Sequence, residues 1–313
     1  MNGIKQLPRK ELSSYEPDDL WTIEEHSIFL KYCPSIRDKC YHSMILDTSA
    51  RAHELLHLKV KDVNFKVSSE GIQYAEITVK GKTGSRTLPL IDSIPYIKDW
   101  ILNHPEGQNP DSWLFVSLSD KNNTFFPQLS VNRMIKRYKK QYKHFFRELL
   151  KDESISDRDK AFIKNMLTKP FNMHIHRHFS LTEMSKMNLN EHMLCNHAGW
   201  SMTSKMPQRY LHYFGNESSR SILRLKGVIK ENEEIENNLL KPKPCPNCNE
   251  SNIPNSRLCV NCKMILSYDA YTDTLEKQKQ KDDQIKILIE KQEKFEQLIQ
   301  TLIDNNHLSP KSC

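Results

Sequence analysis

Apolar residues fall at helical spacing through the first sixty positions, switch to short, partly alternating runs, and then return to helical spacing. The segment DLWTIEEHSIFLKYC predicts a first helix, opened by Thr22 with Glu25 three positions on as a capping pair. RDKCYHSMILDTSA, with Tyr41, Met44, Ile45 and Leu46 at core spacing, predicts a second, and RAHELLHL starts a third. VNFKV, GIQYAEITVK and SRTLPLI, divided by SSEG and GKTG, predict a small antiparallel sheet whose exposed tip is the turn Gly81–Ser85. Helices resume with IPYIKDWILNHP and SVNRMIKRYKKQYKHFFRELL, then a helical insertion at ESISDRDKAFIKNMLTKP. The fold class expected is α+β, mainly α.

The second of these later helices mixes seven Lys or Arg with Tyr138, Tyr142, Phe145 and Phe146. The simplest reading is an aromatic core stripe under a solvated basic face, which leaves Arg133, Lys136, Arg137, Lys139, Lys140 and Lys143 available to phosphates. Overall charge points the same way without requiring it: 46 Lys plus Arg against 39 Asp plus Glu give a formal net charge of +7. No apolar stretch approaches the roughly 18 to 20 residues of a membrane span, and the N-terminus lacks a signal peptide's apolar core, so no membrane partner and a cytoplasmic location are expected.

Composition also divides the chain. Residues 1–16 are polar and prolyl, a flexible lead-in; residues 17–229 form the main domain; ENEEIENNLLKPKP marks a linker at 230–244. Of eight cysteines, Cys33, Cys40, Cys195 and Cys313 are scattered, whereas Cys245, Cys248, Cys259 and Cys262 make two CxxC pairs ten residues apart. That spacing suits two knuckles presenting four thiolates to a structural zinc, with an iron site as the alternative, so 245–268 is expected to be a zinc ribbon. Four protein ligands leave no open position for catalysis. In 269–306, Ile285, Leu288, Phe295, Ile299 and Leu302 take heptad positions around Gln292, predicting a helical, coiled-coil-like tail.

The densest reactive chemistry lies in KPFNMHIHRHFSLTEMSKMNLNEHMLCNHAGWSMTSKMPQRYLHYFGN. Phosphoryl transfer to a side chain needs a nucleophile, cations for the non-bridging oxygens and an acid for the departing hydroxyl. Arginine matches such oxygens in pairs. Taken singly, the residues have duller roles: Arg51 pairing with Glu54, Lys82 as a solvated turn, Trp200 and Tyr210 as core aromatics, histidines without a task.

Taken in order, they resemble the tyrosine recombinase or phage integrase family. TSARAHELLHLKVKDV resembles its first box, HIHRHF its HxxR box, and GWSMTSKMPQRYLH its closing box; the last wording is similar to archaeal integrases that carry a trailing zinc ribbon. The resemblance covers roughly residues 17 to 215 and implies Arg51 and Arg177 as the catalytic arginines, His174 for proton work, Trp200 where many members have His, and Tyr210 as nucleophile. VKGKTGSRTLPL is similar to the family hairpin that presents a lysine, implying Lys82 as the acid, with Lys80 as runner-up. His176, His178 and His197 read as structural, His178 as a neighbour able to orient Arg177.

The resemblance implies a site-specific recombinase that cleaves and rejoins duplex DNA through a 3′-phosphotyrosine, for integration or excision of a mobile element. It would act as a homo-oligomer, a tetramer on paired sites, with no cofactor needed for catalysis. Two departures stand out: Ser49 replaces the usual glycine before Ala-Arg, and about 16 residues precede the first helix, too few for the family's separate clamp domain. The missing clamp favours a catalytically silent DNA-binding or regulatory protein as the alternative; a type IB topoisomerase shares the chemistry.

Overall fold

The structure, a computed structural model, describes residues 17–81, 83–118, 126–186, 189–211, 226 and 239–306. The chain divides into two compact units, Met1–Lys243 and Pro244–Cys313. The expected lead-in at 1–16 and most of the expected linker lie outside the described residues.

In the first unit Thr22 opens α1 (Ile23–Tyr32) with the reciprocal pair expected: its hydroxyl accepts from the Glu25 amide, and the Glu25 carboxylate accepts from the Thr22 amide. α2 (Ile36–Thr48) ends at Ser49, whose φ of 49° lies in the left-handed region where glycine rests most easily. α3 (Ala52–Leu56) follows directly. Three strands then form an antiparallel sheet in the order β1 (Val63–Val67), β2 (Gln73–Gly81), β3 (Gly84–Leu90). Alternation buries Ala75, Ile77, Val79, Leu88 and Leu90 on one face. β2 and β3 stay paired out to Gly81 opposite Gly84.

α4 (Ile94–Leu102) packs on α2 and β2. The basic segment is one helical run with a break in its winding: α5 (Val131–Lys136), a π-helical stretch Arg137–Tyr142, and α6 (Lys143–Leu149). Tyr138, Tyr142 and Phe146 are buried while Arg133, Lys136, Lys139 and Lys140 are exposed, as expected from sequence; Arg137 and Lys143, expected on the exposed face, and Phe145, expected in the stripe, are half-buried. The π winding has a visible use. It aligns residues five apart, and Arg137 and Tyr142 both reach one oxygen of the buried Asp38, the guanidinium at 2.5 Å. Arg37 donates to the other oxygen at 2.7 Å. Burial pushes the Asp38 carboxyl up, but the Arg37 and Arg137 charges hold it below the usual carboxylate range.

α7 (Asp157–Thr168), α8 (Met173–Lys186), α9 (Glu191–Ala198) and α10 (Met206–Leu211) complete the unit, with α8 against α2, α9 and α10. The core between α1, α2 and α8 is aromatic: Trp21, Phe29, Tyr41 and Tyr138 are all at most 1% exposed. Three histidines are buried within it, His26, His42 and His176, each 0% exposed. Burial holds His176 down at about 3 and the other two well below their ordinary value, so all three are neutral.

The second unit opens on two short strands, β4 (Lys243–Pro244) and β5 (Ser251–Asn252), and ends in α11 (Tyr268–Asn306). On α11 the heptad residues Ile285, Leu288, Phe295 and Ile299 are 41–63% exposed. The side chain of Leu302 lies outside the described residues. Among the described residues no helix is long and apolar enough to cross a membrane.

Asp38 joins α2 to the helical run from α5 to α6, so removing its charge strands two guanidinium groups. Asp38→Ala is expected to cost about 3–5 kcal/mol, read as a lower urea midpoint with unchanged m-value; a loss under 1 kcal/mol contradicts this account.

Candidate active site

Three arginines from three elements meet at the C-terminal end of α9. A helix leaves its last carbonyls without intrahelical partners and carries a partial negative charge there. Arg86, from β3, donates to the His197 carbonyl at 2.9 Å; Arg177, from α8, to the Ala198 carbonyl at 2.7 Å; Arg51, from the start of α3, to the Gly199 carbonyl at 3.0 Å. Thr83 adds its hydroxyl to the Gly199 carbonyl at 3.2 Å. Gly199 is required twice over. Its φ is +66°, and a Cβ there would lie 2.5 Å from a terminal nitrogen of Arg86 and 3.2 Å from one of Arg51.

Such crowding of cations needs a counter-charge, and Glu54 supplies it. Its carboxylate accepts two bonds from Arg86, at 3.0 and 2.8 Å, one from the Arg51 guanidinium at 3.1 Å, and one from the Arg51 amide at 2.8 Å. Burial alone would raise the Glu54 carboxyl, yet these bonds and the two charges hold it at about 2. Arg177 is 7% exposed and also donates to the Ser49 carbonyl. Burial, and then the charge of Arg51, lower its guanidinium to about 10, which leaves it charged at neutral pH.

The expected site residues fall as follows. Arg51 and Arg177 converge, and His174 lies exposed on α8 near both; desolvation and then their charges lower its imidazole below the ordinary value. Trp200 follows Gly199, with the Arg177 guanidinium carbon 5.8 Å from its ring centroid. Tyr210, on α10, is 4% exposed and lies under Trp200, ring centroids 5.5 Å apart and planes 22° from parallel. Its hydroxyl hydrogen-bonds to Nδ1 of His178. Lys82 lies outside the described residues; Lys80 is exposed on β2.

The pairing of Arg51 with Glu54 was open in the sequence; Arg86, its bonds to Glu54, and the contact of His178 with Tyr210 were missed. A signal for Arg86 was present: strand alternation puts it on the face of Leu88 and Leu90, a charge on the apolar side. His178 carried no comparable sign, because its partner is 32 positions away.

In the second unit Cys245 and Cys262 place their sulfurs 3.5 Å apart, Cys248 and Cys259 3.6 Å, and all four lie within 4.8 Å of one another. Tetrahedral zinc–thiolate bonds of about 2.3 Å set sulfurs about 3.8 Å apart, so the four fit such an ion. Two like knuckles build the cluster. The residue after each CxxC, Asn249 and Lys263, has φ of 56° and 61°, and the two knuckles close through Cys245 N–H to the Glu250 carbonyl and Cys259 N–H to the Met264 carbonyl at 2.9 and 2.7 Å. Asn252, 1% exposed, donates to the Cys259 sulfur at 3.7 Å.

The site is thus arginine-rich, built at a helix end and faced by a buried tyrosine. The phage integrase family model matches residues 21–217, and the chain belongs to that family of tyrosine recombinases. No curated protein matches it significantly. Among solved structures the chain is similar to XerH site-specific recombinase bound to palindromic difH substrate in a post-cleavage complex, at 17% identity and a TM-score of 0.44, covering 66% of this chain and 53% of that one. It is also similar to XerA recombinase, at 14% identity and 0.42, covering 72% and 67%. The Tn1549 transposon integrase in complex with circular intermediate DNA matches at 16% and 0.43, covering 67% and 66%. The chain thus spans about half the length of the XerH chain.

Glu54 ties the site to acid stability. Its carboxyl is held at about 2 against an ordinary 4.5, so its contribution, about 3 kcal/mol by linkage, is complete above pH 4.5 and disappears as pH falls towards 2. Unfolding free energies of the wild type and Glu54→Gln are expected to differ by a constant amount between pH 5 and 7 and to converge below pH 4.5. A gap independent of pH down to 2.5 would contradict the assignment.

Proposed function

We propose that this chain is a site-specific DNA recombinase that cuts and rejoins duplex DNA through a 3′-phosphotyrosine at Tyr210, serving integration or excision of a mobile element. The observation that supports this most is the joining of Arg51 and Arg177 at one helix end, one ring away from the Tyr210 phenol. Two fixed guanidinium groups suit the two non-bridging oxygens of one phosphodiester, whose added charge in the transition state they stabilise.

In the proposed step the phenol oxygen bonds to phosphorus, the bond to the 5′ oxygen breaks, and that oxygen leaves as a hydroxyl. The phenol proton passes to His178, the imidazole that already touches it and that has room for a proton on Nδ1. Lys82 donates to the departing 5′ oxygen, and His174 and the Trp200 indole N–H bind the phosphate. A 5′-hydroxyl of another strand reverses the step, so bond energy is conserved and no cofactor is consumed. Tyr210 is buried in this conformation, so α10 must turn the phenol outwards when DNA is bound. The exposed basic face of α5, α6 and the π-helical stretch between them supports duplex backbone contact. The exposed heptad face of α11 supports a homo-oligomer, a tetramer on paired sites. The four cysteines hold a structural zinc, as in the archaeal members with a trailing ribbon.

A nicked suicide duplex carrying the chain's own attachment site tests the reading. Covalent adduct is expected with the wild type, none with Tyr210→Phe, and at least 100-fold less with Arg177→Ala. Absence of wild-type adduct on sites flanking the gene would instead favour the silent DNA-binding alternative, and relaxation without strand exchange a topoisomerase.

The ribbon makes a separate prediction. Cobalt-substituted protein is expected to show thiolate-to-metal charge-transfer absorption that Cys259→Ser abolishes, together with new proteolysis within residues 245–268. Unchanged absorption in that variant would remove Cys259 from the ligand set.

A further inference from the structure

We propose a second metal site, in the core of the first unit: His26, His42 and His176 bind a zinc ion that ties α1, α2 and α8 together. The observation is a buried histidine trio with more nitrogen than the protein satisfies. Neither ring nitrogen of His176, nor Nε2 of His26, has a hydrogen-bond partner among the described residues, although all three rings are fully buried. Buried polar atoms are almost always partnered, and a residue that leaves both its nitrogens bare in a core calls for a ligand.

The geometry fits a metal. One ring nitrogen from each histidine lies within 4.8 Å of the other two. His26 Nδ1 and His42 Nε2 face each other at 3.0 Å, close to the roughly 3.3 Å that two imidazoles take on a tetrahedral zinc with Zn–N bonds of about 2.0–2.1 Å. The ring centroids lie 5.1, 5.3 and 4.5 Å apart, against about 5 Å for imidazoles sharing such an ion. Small ring rotations bring the third nitrogen in.

The surroundings suit the chemistry too. Tyr138 sets the outer contact: its hydroxyl lies 3.0 Å from His42 Nδ1 and, by accepting the N–H there, leaves Nε2 with its lone pair for metal. His26 needs only to move its proton from Nδ1 to Nε2, so binding releases no proton from this pair. All three imidazoles are neutral, the form that ligates. Imidazole nitrogen is a donor zinc favours. Three protein ligands leave a fourth position for water or hydroxide, and the Trp21, Phe29 and Phe179 rings packed on the trio keep bulk solvent out. His176 immediately precedes Arg177, so the ion would fix the part of α8 that carries the site.

Zinc content and zinc-edge X-ray absorption of the full chain, purified from zinc-supplemented medium and desalted, test the proposal. Two zinc ions per chain with a mixed nitrogen and sulfur shell are expected. The variant Cys245→Ser, Cys248→Ser, Cys259→Ser, Cys262→Ser is expected to keep one zinc in a sulfur-free shell. His176→Leu, which retains an apolar core residue, is expected to drop to one zinc in a sulfur-only shell. One zinc per unmodified chain in an all-sulfur shell overturns the proposal whether or not either variant folds, and so does His176→Leu with the wild-type content.

Discussion

Three guanidinium groups held within a few ångströms of one another repel, and this site exists because a buried carboxylate and a helix end together outweigh that repulsion. Glu54 takes two of the three, and the α9 carbonyls take all of them. The division matters. Arg86 spends both terminal nitrogens on Glu54 and its Nε on His197, which makes it the scaffold cation. Arg177 reaches only carbonyl oxygens with its outer nitrogens, whereas Arg51 divides its two between the Glu54 carboxylate and the Gly199 carbonyl.

Placing the cations at the end of α9 also explains the backbone there. Gly199 turns the chain through a left-handed conformation, exposes consecutive carbonyls to the arginines, and leaves no Cβ where Arg86 and Arg51 approach. Across the site Ser49 adopts the same kind of conformation with a side chain, and its carbonyl receives Arg177 while its hydroxyl meets Ser180 at 2.6 Å. The replacement of glycine at that position is thus matched by a hydrogen bond of the serine hydroxyl.

What was legible in the sequence was whatever is encoded locally. The Thr22–Glu25 cap, the alternation of β2 and β3, the buried stripe beneath the basic face and the two CxxC knuckles each lie within a few residues of one another, and each appears in the structure. The order of the family boxes supplied Arg51, Arg177, Trp200 and Tyr210. The π winding of Arg137–Tyr142 was not legible, because its cause is Asp38, about a hundred residues earlier. Nor was the histidine trio: His26, His42 and His176 come from three helices, and no spacing within any one of them marks the nitrogens that meet.

The tyrosine brings these threads together. Packed between Trp200 and His178, the Tyr210 phenol is shielded from solvent while hydrogen-bonded to the His178 imidazole. Trp200 is the hinge of this arrangement, since one face covers the phenol and the Arg177 guanidinium lies over the ring. Burial of the Tyr210 phenol and the position of the Arg177 guanidinium are thus linked through a single indole.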